Sequence, residues 1–329
     1  MLTDERIEQI LTLLPKKTIG LLGDLFLDRY LDIEASLTEP SLETGLDAYQ
    51  VVQVRSYPGA LGTVLNNLAA LGVGRILPIS IIGDDGEGHE LRQALQKLRG
   101  VQPGSILTAP ERRTPTYTKP MLMEKGSPPR ELNRLDIKNR IPTPSNLEDR
   151  IIQLLEVSWK HFDCLIVLDQ VSEENCGVVT KRVREALIAR CEKDPAKFVL
   201  ADSRERIHLF RNVSVKPNEV EVRQMAEKES STWNRNVFCT QGQNGIQLRL
   251  ASGEEKLIPG FPVTGPIDIV GAGDSCSAGI SCAIACGASV EEAAAFGNLV
   301  ASITVQQIGT TGTATPQQVR DRWNEVKPK

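Results

Sequence analysis

The chain has 329 residues, 40% of them hydrophobic and 24% charged, with a formal net charge of −4. That length holds one large α/β unit or two smaller domains, and the balance of residues is that of a globular protein with a sizeable core. The acidic balance offers no basic face for nucleic acid, and no stretch reaches the roughly 18 uninterrupted apolar residues of a membrane span. The N-terminus, MLTDERIEQILTLLPKK, is charged and amphipathic and lacks the apolar core of a signal peptide. A cytoplasmic protein with neither nucleic-acid nor membrane partners is expected. Seven cysteines without a CxxC pair read as small buried hydrophobes, and three dispersed histidines argue against a histidine metal site.

In chain order, TIGLLGD (18–24) reads as a buried strand ending in an acid, and LGTVLNNLAALG (61–72) has helical spacing with Gly72 as its stop. RILPISIIGDD (75–85) is a further strand, followed by a helix over 88–98. The alternation continues through helix 145–161, strand 164–169, helix 175–191, strand 197–202, strand 213–219, a helix near 219–228 and strand 236–242. Continuous apolar strands between helices predict a mostly parallel sheet covered on both faces, with ligands gathered at the strands' carboxyl ends. No repeat or linker is visible, so a single domain over 1–329 is expected. Residues 31–57 and 113–136 break the rhythm: YQVVQVRSY alternates like a half-exposed strand, and the second stretch turns around KGSPP. Both suit a small β flap, or two ordinary surface loops.

The stretch PIDIVGAGDSCSAGISCAIACG (266–287) carries the chemistry. A helix start leaves N–H groups without partners, and glycine lets an anion approach them. Gly271, Ala272 and Gly273 therefore form a cradle for negative charge. Asp274 at its lip is unfavourable for binding an anion alone. It makes sense as the acceptor of a proton from a hydroxyl that attacks phosphorus. The small residues that follow allow close helix packing.

DIVGAGDSCSAG resembles the C-terminal signature of the ribokinase-like (PfkB) carbohydrate kinases, a D-x-x-G-A-G-D pattern. GDLFLDRY (23–30), YPGALGTVLNNLAALG (57–72), RRTPTYTK (112–119), NRLD (133–136), KPNEVEV (216–222) and TQGQNG (240–245) agree with the family in order and spacing. Several of these look like the kinase domain of bacterial heptose-phosphate kinase/adenylyltransferases, without their second, nucleotidyl-transferring domain. The resemblance implies a three-layer α/β/α fold with a mostly parallel central sheet and a β lid from about 31–57 and 113–136. It also implies ATP-dependent phosphorylation of a sugar or sugar phosphate. Asp274 would be the base and the amides of Gly271, Ala272 and Gly273 the anion hole. Lys216, Asn218 and Glu219 would place the phosphates, with Mg²⁺ held near Glu219 through water. Thr240, Gly242, Gly245 and Asn298 would line the nucleotide site. Asp24, Asp28, Arg29, Gly59 and Thr63 would meet the sugar, and Lys119, Arg134 and Arg113 a phosphate already on it. In relatives the lid often supports a homodimer.

Departures gather at the sugar end. PGALGTVL stands where the family has PGGAANVA, so a glycine becomes Ala60 and an asparagine becomes Thr63. LDQVSEE (168–174) keeps Asp169 but loses a Tyr, Lys and Gly, and DSR (202–204) replaces DPK. Val270 replaces a threonine, which weakens the case for a monovalent cation (K⁺) at Asp268. A changed substrate is expected. The alternatives are a catalytically reduced sugar- or nucleotide-sensing protein, or a kinase for a nucleoside or other alcohol.

Overall fold

The computed structural model describes residues 2–227, 234–309 and 311–328. Its main sheet has nine strands, ordered Glu255–Ile258, Ile246–Arg249, Val237–Thr240, Ser214–Val215, Phe198–Ser203, Cys164–Asp169, Thr18–Gly23, Arg75–Gly83 and Ile106–Ala109. The strands from Val237–Thr240 to Ile106–Ala109 pair in parallel, and the first two form an antiparallel edge. Thr18–Gly23 and Cys164–Asp169 are buried along their whole length, which explains their unbroken apolar sequences.

Side chains alternate across the sheet, so one strand feeds two cores. Ile166 and Leu168 join the helices Leu61–Ala70, Ala272–Ala285 and Val290–Thr304 on one face. Leu165 and Val167 join Ser145–Ser158 and Lys181–Lys193 on the other. This is the expected three-layer arrangement. The small residues after Asp274 pack as anticipated: a Cβ on Gly279 would lie 2.9 Å from Gly297 Cα, so larger side chains would force Ala272–Ala285 and Val290–Thr304 apart.

A second sheet pairs Leu135–Ile137, Thr116–Met123, Leu25–Glu34 and Val51–Ala60 in that order, with Arg130–Glu131 on Thr116–Met123. It draws on both stretches that broke the rhythm, but its strand Leu25–Glu34 begins earlier than 31. The strand expected over 213–219 shrinks to Ser214–Val215, and the helix expected at 175–191 starts only at Lys181. Thr180 caps that helix by accepting from Val183 N–H at 3.2 Å. The helix near 219–228 runs Glu219–Glu227; residue 228 lies outside the described residues. The antiparallel edge strands were not anticipated. No helix of the described residues is long and apolar enough to cross a membrane.

Candidate active site

A cleft of about 1080 Å³ opens at the carboxyl ends of the parallel strands. Asp274 lies on its floor, in the first turn of Ala272–Ala285, after Gly271 in the left-handed conformation (φ 79°). Gly271 is wedged: a Cβ there would lie 2.4 Å from Thr311 Cγ2 and 3.2 Å from Thr63 Cγ2. The N–H of Ala272 is already used in a turn bond to Ile269 O at 3.1 Å. This corrects the expected anion hole, because the amides left open by helix geometry are those of Gly273 and Asp274.

Desolvation pushes the Asp274 carboxyl up to about 7, and nearby Asp202 adds to the rise while Lys216 and Arg204 oppose it. Lys216 is buried and paired with Asp202 at 2.9 Å. Burial alone would favour its neutral form, but Asp202 holds its ammonium above the ordinary lysine range. A Cβ on Gly273 would lie 3.4 Å from Lys216 Nζ, so the ammonium sits directly below the open amides.

At one end of the cleft, Asn218 and Glu221 cap the helix Glu219–Glu227 reciprocally. Asn218 Oδ1 accepts from Glu221 N–H at 2.9 Å, and Glu221 Oε2 accepts from Asn218 N–H at 2.8 Å. Glu221 lines the cleft, and burial raises its carboxyl. The exposed Glu219, expected near the metal, is not among the lining residues, and the acid of this segment that lines the cleft is Glu221. Sequence reasoning missed Glu221, although its Asn-x-x-Glu cap is a local signal. It also gave no role to Asp202 or Arg204, which line the same cleft.

Thr240, Gly242 and Asn298 also line this cleft. Asn298 also donates to the carbonyls of Ile258 and Pro259 at 3.0 and 3.1 Å. Gly245 (φ 96°) is a turn residue rather than a lining one: a Cβ there would meet Ile258 O at 2.2 Å.

The sugar-end residues are mostly committed elsewhere. Asp24 is buried and accepts from Gln170, Val171 and Val178 N–H at 3.0, 3.3 and 2.7 Å, so it anchors the 170–178 loop instead of facing the cleft. Arg29 pairs with Glu90 at 2.5 Å and Glu87 at 3.4 Å. Arg134 forms a bidentate pair with Asp136, and Arg113 is held by Asp85 and Glu87. Lys119 donates to Tyr30 Oη at 3.1 Å and lies 3.8 Å from Asp28. Each of these residues, expected at the substrate, is held by protein partners in this structure. Asp28 differs. Burial raises its carboxyl against the pull of Lys119 and Arg134, and its charge also acts on Asp274. Gly59 packs against it, a Cβ there lying 2.5 Å from Asp28 Oδ2.

Asp268 fits a loop tie better than a cation ligand. Its two oxygens accept from Val270 N–H and Gly309 N–H, each at 3.0 Å, and neighbouring Val270 brings no hydroxyl. Among the described residues no group of three or more His, Cys, Asp or Glu is placed to hold a metal ion by itself.

A helix start with open amides, a carboxyl tuned near neutrality and a large cleft at the strand ends together suit phosphoryl transfer. Residues 207–318 match the pfkB family carbohydrate kinase signature, and the fold is ribokinase-like. Its curated relatives include the bifunctional protein HldE of Geobacter metallireducens, 27% identical over 315 residues, covering 91% of this chain and 61% of that protein. HldE of Trichlorobacter lovleyi is 27% identical over 313 residues, covering 90% and 61%. The chain thus spans less than two thirds of the length of these relatives. Similar solved folds include Arabidopsis thaliana ribokinase complexed with ribose and ATP, at 16% identity and TM-score 0.63, covering 93% of this chain and 98% of that one. A carbohydrate kinase from Agrobacterium tumefaciens reaches 20% and 0.67, covering 94% and 98%.

Proposed function

We propose that the protein transfers the γ-phosphoryl group of ATP to a hydroxyl of a sugar or sugar phosphate, with a heptose-phosphate-like acceptor as the leading candidate. The observation that carries this reading is the placement of Asp274. It is a carboxyl pushed up to about 7, beside the open amides of Gly273 and Asp274, on the floor of a cleft of about 1080 Å³. A base poised near neutral pH is matched to taking a hydroxyl proton. The acceptor oxygen bonds to the γ-phosphorus as its proton passes to Asp274. The bond from that phosphorus to the bridging oxygen breaks, and ADP leaves with that oxygen. The first-turn amides hold the charge on the group in transit.

Mg²⁺ would neutralise the nucleotide phosphates. Glu221 and Asn218 suit a hard cation that keeps most of its waters and needs only one or two protein oxygens. Thr63, whose methyl lies against the Gly271 turn, and Asp28, whose charge acts on Asp274, are the acceptor contacts this reading favours. The lid also supports a homodimer, because its edge strand Val51–Ala60 leaves Val51, Val52 and Val54 exposed.

Acceptor-dependent ADP release, measured with Mg–ATP over a panel of sugars, heptose and hexose phosphates and nucleosides, tests the reading. Release with a sugar or sugar phosphate supports it. A response to nucleosides alone moves the acceptor class, and melting shifts without ADP release point to a sensor.

A further inference from the structure

The turn after Phe198–Ser203 carries two arginines with opposite fates. Arg206 is locked: it donates to both oxygens of Asp169, at 3.1 and 2.7 Å, and to the carbonyls of Val171 and Ser172. Arg204 lies two residues earlier, lines the cleft, and is exposed. Its guanidinium forms no ion pair or hydrogen bond among the described residues. Lys216, which lines the same cleft, is already neutralised by Asp202. Arg204 is therefore the cleft's uncommitted cation among the described residues, and a planar fork of donors matches phosphate oxygens better than a point charge does.

Arg204 lines the cleft together with Asp274, Asn218 and Glu221. Arg204 works against the burial that raises Asp274, and it does the same at Glu221. Asp28 on the lid is instead influenced by Lys119 and Arg134. Arg204 thus shares the cleft with both the Asn218–Glu221 pair and Asp274 at the point of transfer.

We propose that Arg204 ligates the γ-phosphoryl group during transfer. The role rests on the kinase reading above. Arg204 changes no bond; it donates to equatorial oxygens of the group moving from ADP to the acceptor, where charge is held in the transition state. An Arg204→Met change at this exposed position leaves the fold intact, and Arg204→Lys keeps the charge while losing the fork.

Calorimetric titration of the full chain with Mg–ADP and with Mg–AMPPNP separates the phosphates. For Arg204→Met, AMPPNP binding weakens by roughly tenfold or more while ADP binding is unchanged. Turnover falls about 10²- to 10³-fold, and Arg204→Lys recovers part of it. Equal weakening of both nucleotides overturns the γ-phosphoryl assignment, as does a rise confined to the acceptor KM. Unchanged binding and turnover in Arg204→Met overturns any role. A wild-type protein that binds both nucleotides but releases no ADP with any acceptor sinks the kinase reading instead, and the binding comparison still reports on Arg204.

Discussion

Lys216 Nζ lies 2.9 Å from Asp202 Oδ2, and this buried pair sits below Gly273 and Asp274. Removing one member leaves the other charge uncompensated in the interior, so Lys216→Met costs about 3–5 kcal/mol of stability by denaturant titration. Lys216 also opposes the rise of the Asp274 carboxyl. Without it that group needs a higher pH to ionise. The acid limb of the pH–rate profile therefore moves upward in Lys216→Met, and an unmoved limb in a folded variant contradicts the coupling.

Asp274→Asn keeps the shape of the site and removes the base. Turnover falls about 10²- to 10⁴-fold while Mg–ATP affinity is largely kept. The carboxyl titrates near 3.8 when unfolded and near 7 when folded, so between those values the folded chain binds more protons. Asp274 therefore destabilises the fold progressively as pH rises from about 4 to about 7. Asp274→Asn should melt above wild type at pH 8 and together with it below pH 4. Identical melting at both pH values argues against a raised carboxyl.

Ala60 has φ 51° and ψ −115°, a backbone region that suits glycine, immediately before the helix Leu61–Ala70. Such strain is worth about 1–3 kcal/mol at a residue with a Cβ. Ala60→Gly stabilises the protein by about 1 kcal/mol once the greater freedom of the unfolded glycine is subtracted. A lower urea midpoint for Ala60→Gly runs against this.

What the sequence made legible was local. Gly271-Ala272-Gly273-Asp274 announces a helix start, and the unbroken apolar runs announce strands covered on both faces, because each pattern is written within a few residues. The sugar-end assignments depended on partners far along the chain. Arg29 finds Glu87 and Glu90, and Asp24 finds the amides of 170–178, through folding that no local pattern records. Glu221 stands between these cases: Asn218 and Glu221 have capping-box spacing, a local signal that would have moved the acid from 219 to 221.

Asp24 gives the sharpest separation between a loop anchor and a substrate ligand. Its carboxyl is pushed up to about 6 by burial and by Asp169, while the N–H groups of Val178, Gln170 and Val171 pull it back. Asp24→Ala leaves two buried amides and one partly buried one without their acceptor, and each unmade bond costs about 1–3 kcal/mol before water enters the gap. A net loss of about 3 kcal/mol is expected, with faster amide exchange at 170, 171 and 178. In Asp24→Asn the side-chain oxygen still accepts, the loop is largely retained, and the acceptor KM stays near its wild-type value. Should Asp24→Asn raise the acceptor KM steeply while those amides remain protected, the carboxylate reaches substrate after all, and the 170–178 loop is not its principal partner.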